Sequence, residues 1–269
     1  MNDVPEPVDE VRLTIDHRGV ARVTIDRQHV LNAIDGATWG HLNDIWLRLE
    51  ADEAIRAIVI TGAGTRAFCA GADMSAAGVS KTGLEYWADS DPNGFGGLSL
   101  RSTLDIPVIA MVNGYALGGG MEMVLGADIV VASETAQFAL PEPRVGRLAL
   151  DGGIPRLVRR IPHTQAMGML LTGGRVSAAR MAQFGLVNEV VPADALADAV
   201  AWWVDQILLC APSSVRAVKQ IVNRTGHLSA AEARNTAVPA LMASLQSEEQ
   251  DEGVNAFRDK RPPSWAVPA

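Results

Sequence analysis

The chain has little cysteine, no basic excess and no long apolar run, and each shortage removes a class of function. Its two cysteines, Cys69 and Cys210, lie far apart and share no metal-type spacing. A disulfide framework or zinc centre is therefore not expected, and both read as free thiols of a reducing cytoplasm. Lysine and arginine number 23 against 31 acids, a formal net charge of −8. That balance disfavours nucleic acid or an anionic membrane as a partner. Only a local cluster such as Arg156, Arg159 and Arg160 could present an anion patch. No apolar run approaches the roughly 20 residues a membrane span needs. Met1 to Glu10 is acidic and proline-containing, unlike a signal or transit peptide. What remains is ordinary globular composition, 48% apolar and 20% charged. The length suits one large domain or a core with a small appendage.

Two segments with β-rich or alternating character, Val11 to Ile15 and Val20 to Ile25, predict a hairpin around Asp16 to Gly19. From Asp35 to Glu50 an apolar stripe of Trp39, Leu42, Ile45, Trp46 and Leu49 predicts a helix. Ala57 to Ile60, Val108 to Val112, Ile129 to Ala132 and Gln137 to Ala139 read as strands. Strands alternating with helices imply an α/β core. After about residue 190 the periodicity becomes helical, over Ala193 to Cys210, Ser213 to Arg224 and Ser229 to Phe257. The expected organisation is a catalytic core over residues 1–190 and a helical oligomerisation region over 191–269. Its apolar positions, among them Trp202, Trp203, Ile207, Leu241 and Leu245, call for a second subunit as cover.

The chemistry is written around two glutamates. Glu122 follows the glycines of Asn113-Gly-Tyr-Ala-Leu-Gly-Gly-Gly-Met-Glu122, and Glu142 sits in Phe138-Ala-Leu-Pro-Glu-Pro-Arg-Val-Gly146. A glycine triplet between a strand and an apolar stretch can bare N–H groups at a helix N-terminus, where an anion is favoured. Two carboxyls beside such a site could move protons on a substrate whose charge the amides stabilise. Reversible addition of water, or proton shuffling, next to a carbonyl is the chemistry suggested. A competing motif, Gly62-Ala-Gly64-Thr-Arg-Ala67, matches the dinucleotide fingerprint. It lacks the immediate helix and the later strand-ending acid that the fingerprint requires, so the match is set aside.

Several ordered blocks together carry a family resemblance. They are Asp26 to Ala33, Ile60 to Gly64 with Ala67 to Asp73, Pro107 to Glu122, Ala127-Asp128, Phe138 to Glu142, and the ending Phe257 to Trp265. Over nearly its whole length the chain resembles the enoyl-CoA hydratase/isomerase (crotonase) family. The resemblance implies a crotonase-like α/β spiral of β-β-α units with a C-terminal helical oligomerisation region. It implies an oxyanion hole built from the amides of Ala72 and Gly119, with Glu122 and Glu142 exchanging protons with water and substrate. Val30, Leu31, Ala33, Ala70, Asp73, Met74, Leu117, Gly118 and Pro141 would line the path of an acyl-CoA, with Arg27 near its phosphates. The expected reaction is hydration of a 2-enoyl-CoA without metal or redox cofactor, coenzyme A being part of the substrate. The alternatives are a carnitinyl-CoA-type dehydratase, a double-bond isomerase, or a non-catalytic member binding RNA or CoA. A homotrimer or hexamer in the cytoplasm completes the expectation.

Departures from the family pattern bear on specificity. Gln28 replaces a common proline, and Val145 to Gly153 replaces a glycine-rich stretch. Asp151 is either a third polar group near the acyl chain or an N-cap for the helix from Ile154, and the Gly-Gly-Ile-Pro start favours the cap. Leu84 to Gly97 combines aromatics with acids. It reads as a lid over an apolar acyl chain or as an aromatic cage for a cationic one, and the lid is favoured. Within it, Gly94 to Leu98 resembles carnitinyl-CoA dehydratases.

Overall fold

The structure is a computed structural model that describes residues 10–74, 83–89 and 91–266. Residues 1–9, 75–82, 90 and 267–269 lie outside the described residues.

Among the described residues, ten strands form two sheets. The larger contains β1 (Val11–Ile15), β2 (Val20–Ile25), β3 (Ala57–Gly62), β5 (Val108–Val112), β7 (Ile129–Ser133) and β10 (Glu189–Val191), in that spatial order. The smaller runs β4 (Ala67–Cys69), β6 (Tyr115–Leu117), β8 (Gln137–Ala139) and β9 (Val176–Ser177). Between β3 and β8 the chain visits the two sheets alternately, so each long strand is followed by a three-residue strand in the other layer. This is the spiral of β-β-α units expected from the resemblance. The β1–β2 hairpin is antiparallel, and β2, β3, β5, β7 and β10 pair in parallel.

Parallel strands covered on both faces need apolar side chains on both faces. The strand period of two divides them cleanly. Ile58, Ile60, Val108, Ala110, Val130 and Ala132 enter the main core with α1 (Gly36–Ala51). The intervening Val59, Ile109 and Val131 meet Leu196, Val200, Val204 and Leu208 of α7 (Leu196–Leu208). On α1 the predicted stripe places Leu42, Trp46 and Leu49 fully inside. Asp35 caps that helix by accepting from the Thr38 amide at 2.9 Å. Burying a side chain as large as Trp46 contributes about 1.5–3 kcal/mol, and its indole N–H is satisfied by the Gly96 carbonyl at 2.7 Å.

The remaining helices are α2 (Gly83–Ala88), α3 (Gly119–Gly126), α4 (Gly153–Arg160), α5 (His163–Thr172), α6 (Ala178–Gln183), α8 (Pro212–Thr225), α9 (Ala230–Asn235), α10 (Pro239–Leu245) and α11 (Glu249–Asp259). Within the helical region expected over 191–269, α7 lays its apolar stripe on the back of the sheet. The helical stretch expected from Ser229 to Phe257 is divided into α9, α10 and α11, with Pro239 opening α10. Among the described residues no single helix is long and apolar enough to cross a membrane.

Candidate active site

Three parallel strands of the smaller sheet assemble the site. Leu117 of β6 is registered with Ala139 of β8, and Cys69 of β4 with Ala116 of β6. Their carboxyl ends therefore release three segments side by side: Ala70–Asp73, Gly118–Glu122 and Pro141–Glu142. Ligands of parallel sheets are commonly held at this edge.

Each glycine of the triplet answers to a different neighbour. Gly118 adopts φ 55°, and a Cβ there would stand 3.0 Å from Oε1 of Glu142. A Cβ on Gly119 would collide with the Phe95 ring, and one on Gly120 with the Cys69 carbonyl. Helix α3 can thus open against bare backbone, its first turn carrying Glu122 inward. The earlier turn is fixed as firmly. Ile34 donates to the Gly71 carbonyl at 2.8 Å, and Asp73 donates back to Ile34 at 2.9 Å. Ala70 donates to Leu31 at 3.1 Å, so segments 31–34 and 70–73 are zipped together. Gly71 has φ 95°, and a Cβ there would touch the Leu117 carbonyl at 3.0 Å and the Gly119 nitrogen at 3.4 Å. Ala72 and Gly119 therefore lie on neighbouring backbone. Among the described residues, neither amide donates to a backbone carbonyl. Two adjacent open donors at a helix N-terminus suit a developing oxyanion.

The carboxyls are screened from water. Glu122 is 3% exposed, and its Oε1 accepts from the Gly153 amide at 2.9 Å. Burial, followed by the charges of Asp151 and Glu142, pushes it up to about 8, against the pull of the Gly153 amide. Burial also raises Glu142, whose Oε2 is enclosed without a hydrogen-bond partner among the described residues. Asp151 is likewise 3% exposed and raised by burial. Its Oδ2 accepts the phenol of Tyr86. The N-cap of α4 is Gly152, with no side-chain cap, so Asp151 is not the N-cap expected but a third acid beside Glu122.

Other expected residues fall differently. Arg27 is buried and ion-paired to Glu10, Asp35 and Asp73 at 3.1, 2.8 and 3.1 Å, and its Nη1 also donates to Ala33. A guanidinium held by three carboxylates is no phosphate anchor. It fastens the segment 27–35 to the turn at Asp73, and it turns the Asp73 carboxylate inward too. Val30 and Leu31 are half-buried, Ala33 is buried, and Met74 is 73% exposed beside Ala72. Leu117 and Pro141 sit half-buried next to Gly118 and Glu142. Arg156 and Arg160 donate to the Leu125 carbonyl, and Arg160 also to Ala127, so they finish the C-terminus of α3 rather than present an anion patch. The false fingerprint is a clamp: the Asn113 amide donates to Gly62, Gly64 and Ala67, and that of Asn32 to Ala63 and Ala67. A side chain at Gly62 would strike the Ala67 and Phe68 carbonyls, which explains this glycine without a dinucleotide. Sequence reasoning missed Tyr86, Asp91 and Phe95 as individual neighbours of the site. All three lie within the segment it singled out for its aromatics and acids.

Comparison with known proteins places this geometry. The model of the family described as enoyl-CoA hydratase/isomerase matches residues 16–267. The chain is 40% identical over 250 residues to a carnitinyl-CoA dehydratase of Proteus mirabilis, covering 91% of this chain and 94% of that protein. A carnitinyl-CoA dehydratase of Escherichia coli is 38% identical with the same coverage. Among solved structures, an enoyl-CoA hydratase of Mycobacterium smegmatis superposes with TM-score 0.87 at 31% identity, over 96% of this chain and 99% of that one. One from Mycobacterium marinum gives 0.85 at 33% identity, over 96% and 98%.

Proposed function

We propose, on the premise that the chain belongs to the enoyl-CoA hydratase/isomerase (crotonase) family, that it hydrates acyl-CoA thioesters, adding water reversibly across the 2,3 double bond of a 2-enoyl-CoA. The observation that carries this reading is the pairing of buried Glu122 and half-buried Glu142, whose Oε2 is covered, with the amides of Ala72 and Gly119, which donate to no backbone carbonyl among the described residues. In the proposed reaction the thioester oxygen lies against those amides, which stabilise the enolate-like charge that grows there. Water held between the glutamates attacks the β-carbon while a carboxyl delivers a proton to the α-carbon. The two acids act as one coupled system, one protonated and one ionised, and exchange roles in the reverse direction. The unpartnered Oε2 of Glu142 supplies an acceptor for that water. The zipped segments 30–33 and 70–74 line the CoA path, and no metal or redox cofactor enters the scheme.

A second reading, dehydration of a carnitinyl-type acyl-CoA by the same steps in reverse, is favoured by one observation. The acids beside Glu122 include Asp151, whose charge environment contains Asp91 and no cation among the described residues, and relatives at 40% and 38% identity are named for that substrate. A substrate panel with mass detection separates the possibilities. Turnover of short, unbranched 2-enoyl-CoA supports the first reading. Turnover confined to carnitinyl-CoA replaces it with the second, and double-bond movement without added oxygen replaces both with isomerisation. Binding of CoA without any turnover marks a non-catalytic member. We further propose a homotrimer held through the helices after Pro212, which expose Val218, Val222, Leu245 and Phe257, the last at 86%.

A further inference from the structure

We propose that Asp151, held by Tyr86, is a positioning residue that acts on Glu122 and ties helix α2 to the catalytic end of α3. The inference rests on the reading of Glu122 as a proton-transfer group. Five of the six residues of α2 are exposed and Tyr86 alone is half-buried, so the phenol is where this helix is anchored to the body. Its partner Asp151 lies two residues before Gly153, whose amide holds Oε1 of Glu122 at 2.9 Å. One short turn therefore carries the lid contact on a side chain and the grip on the glutamate on its backbone. Asp151 is too deeply buried to be a solvated surface acid, and it caps no helix.

Among the described residues, the charges that act most on Glu122, those of Asp151 and Glu142, push it the same way. From the turn after β8 comes Glu142, from the turn before α4 comes Asp151, and from α2 comes Tyr86. Asp91 faces Tyr86 and Asp151 and is itself held by Trp39 and Asn43. On β4 the Cys69 thiol is neutral, burial having pushed it up to about 12. On β6 Tyr115 lies beneath Arg175. The cations of α4, Arg156 and Arg160, sit at the opposite end of α3. A negative Asp151 therefore makes Glu122 harder to ionise, and the Tyr86 hydroxyl stabilises that negative form.

The test is a titration of the protein labelled with ¹³C at glutamate carboxyls, with Glu122→Gln identifying the resonance. Asp151→Asn keeps an acceptor for Tyr86 and removes the charge, so the Glu122 midpoint should fall by about 0.5–1 pH unit. Tyr86→Phe keeps the ring but leaves Asp151 without its donor, so Asp151 holds its proton to higher pH. The Glu122 midpoint should then move the same way by less. The double variant should shift no further than Asp151→Asn alone, since both changes remove one charge. A midpoint that stays or rises in Asp151→Asn, or shifts that simply add, would overturn the proposal. Turnover of Glu122→Gln judges the other reading separately. A fully active Glu122→Gln ends the hydratase role of Glu122, whereas an inactive one with an unmoved midpoint in Asp151→Asn ends this inference alone.

Discussion

The two ends of helix α3 are finished in opposite ways. At the C-terminus, Arg160 donates to the Leu125 and Ala127 carbonyls at 3.0 and 2.7 Å, and Arg156 joins it on Leu125. Nearby, Lys219 pairs with Asp128, whose carboxylate also accepts the Val108 amide. These cations are set against the last carbonyls of α3 or against Asp128, although Arg156 and Arg160 repel each other and burial disfavours both charges. At the N-terminus the Gly119 amide donates to no backbone carbonyl among the described residues, and three acids gather, the largest charge effects on Glu122 coming from Asp151 and Glu142. Burying carboxyls unpaired is costly. Such an arrangement is retained where the strained groups do chemistry. On the proposed function, one eight-residue helix thus divides stability from reactivity between its ends.

The largest break in that comparison comes from the acids. Glu122→Gln and Glu142→Gln should each lower hydration by about 10²–10⁴-fold while leaving CoA binding nearly intact, because each removes a proton-transfer group and keeps the shape. The double variant should lose less than the product of the two. Steady-state rates with product-binding calorimetry check this, and near-normal turnover in either single variant would end the paired-acid mechanism.

A smaller effect sharpens the cost of the open end. Glu122 binds its proton more tightly folded than unfolded, rising from 4.5 to about 8. Its contribution is therefore most favourable below pH ~4.5 and is lost as pH climbs through about 8. Glu122→Gln should be more stable than the parent by roughly 3–5 kcal/mol above pH 8 and by little near pH 5. Denaturant melts at the two pH values measure it, and a difference independent of pH would mean the glutamate is solvated.

How much of this was legible in the sequence follows from the range of the interactions. Local periodicity marked the long strands and α1, because a strand or helix repeats its pattern over several residues, whereas the glutamates stood out by their glycine- and proline-containing contexts. Strands β4 and β6 hold three residues each and were not read as strands, whereas β8, equally short, was. Arg27 stood in a recognisable block, yet its direction depends on Asp73, far along the chain. Tyr86 and Asp151 are 65 residues apart, and neither carries a local signature of the other. Gly119 was expected from the resemblance as an oxyanion-hole amide, and that role gave no sign that its missing side chain makes room for the Phe95 ring. A valine there would therefore disturb packing as well as the site, and it is a poor probe of the oxyanion. In each case residue type was readable and orientation was not, because a distant partner sets the direction.

The smallest effect belongs to the finished end and should leave chemistry alone. Arg160→Met keeps the apolar stem of the side chain and deletes two donors to carbonyls that terminate α3. Hydrogen bonds from a charged donor contribute roughly 1.5–3 kcal/mol each, and partial access of water to this half-buried position offsets some of that. A net loss of about 2 kcal/mol in a urea melt is expected, with kcat within threefold of the parent. The reason is geometric: the α3 backbone transmits no charge from Leu125 to Gly119 beyond the macrodipole, which acts within the terminal turns. If Arg160→Met lowered kcat as much as it lowered stability, the two ends of the helix would be coupled. The division of labour between them would then have to be abandoned.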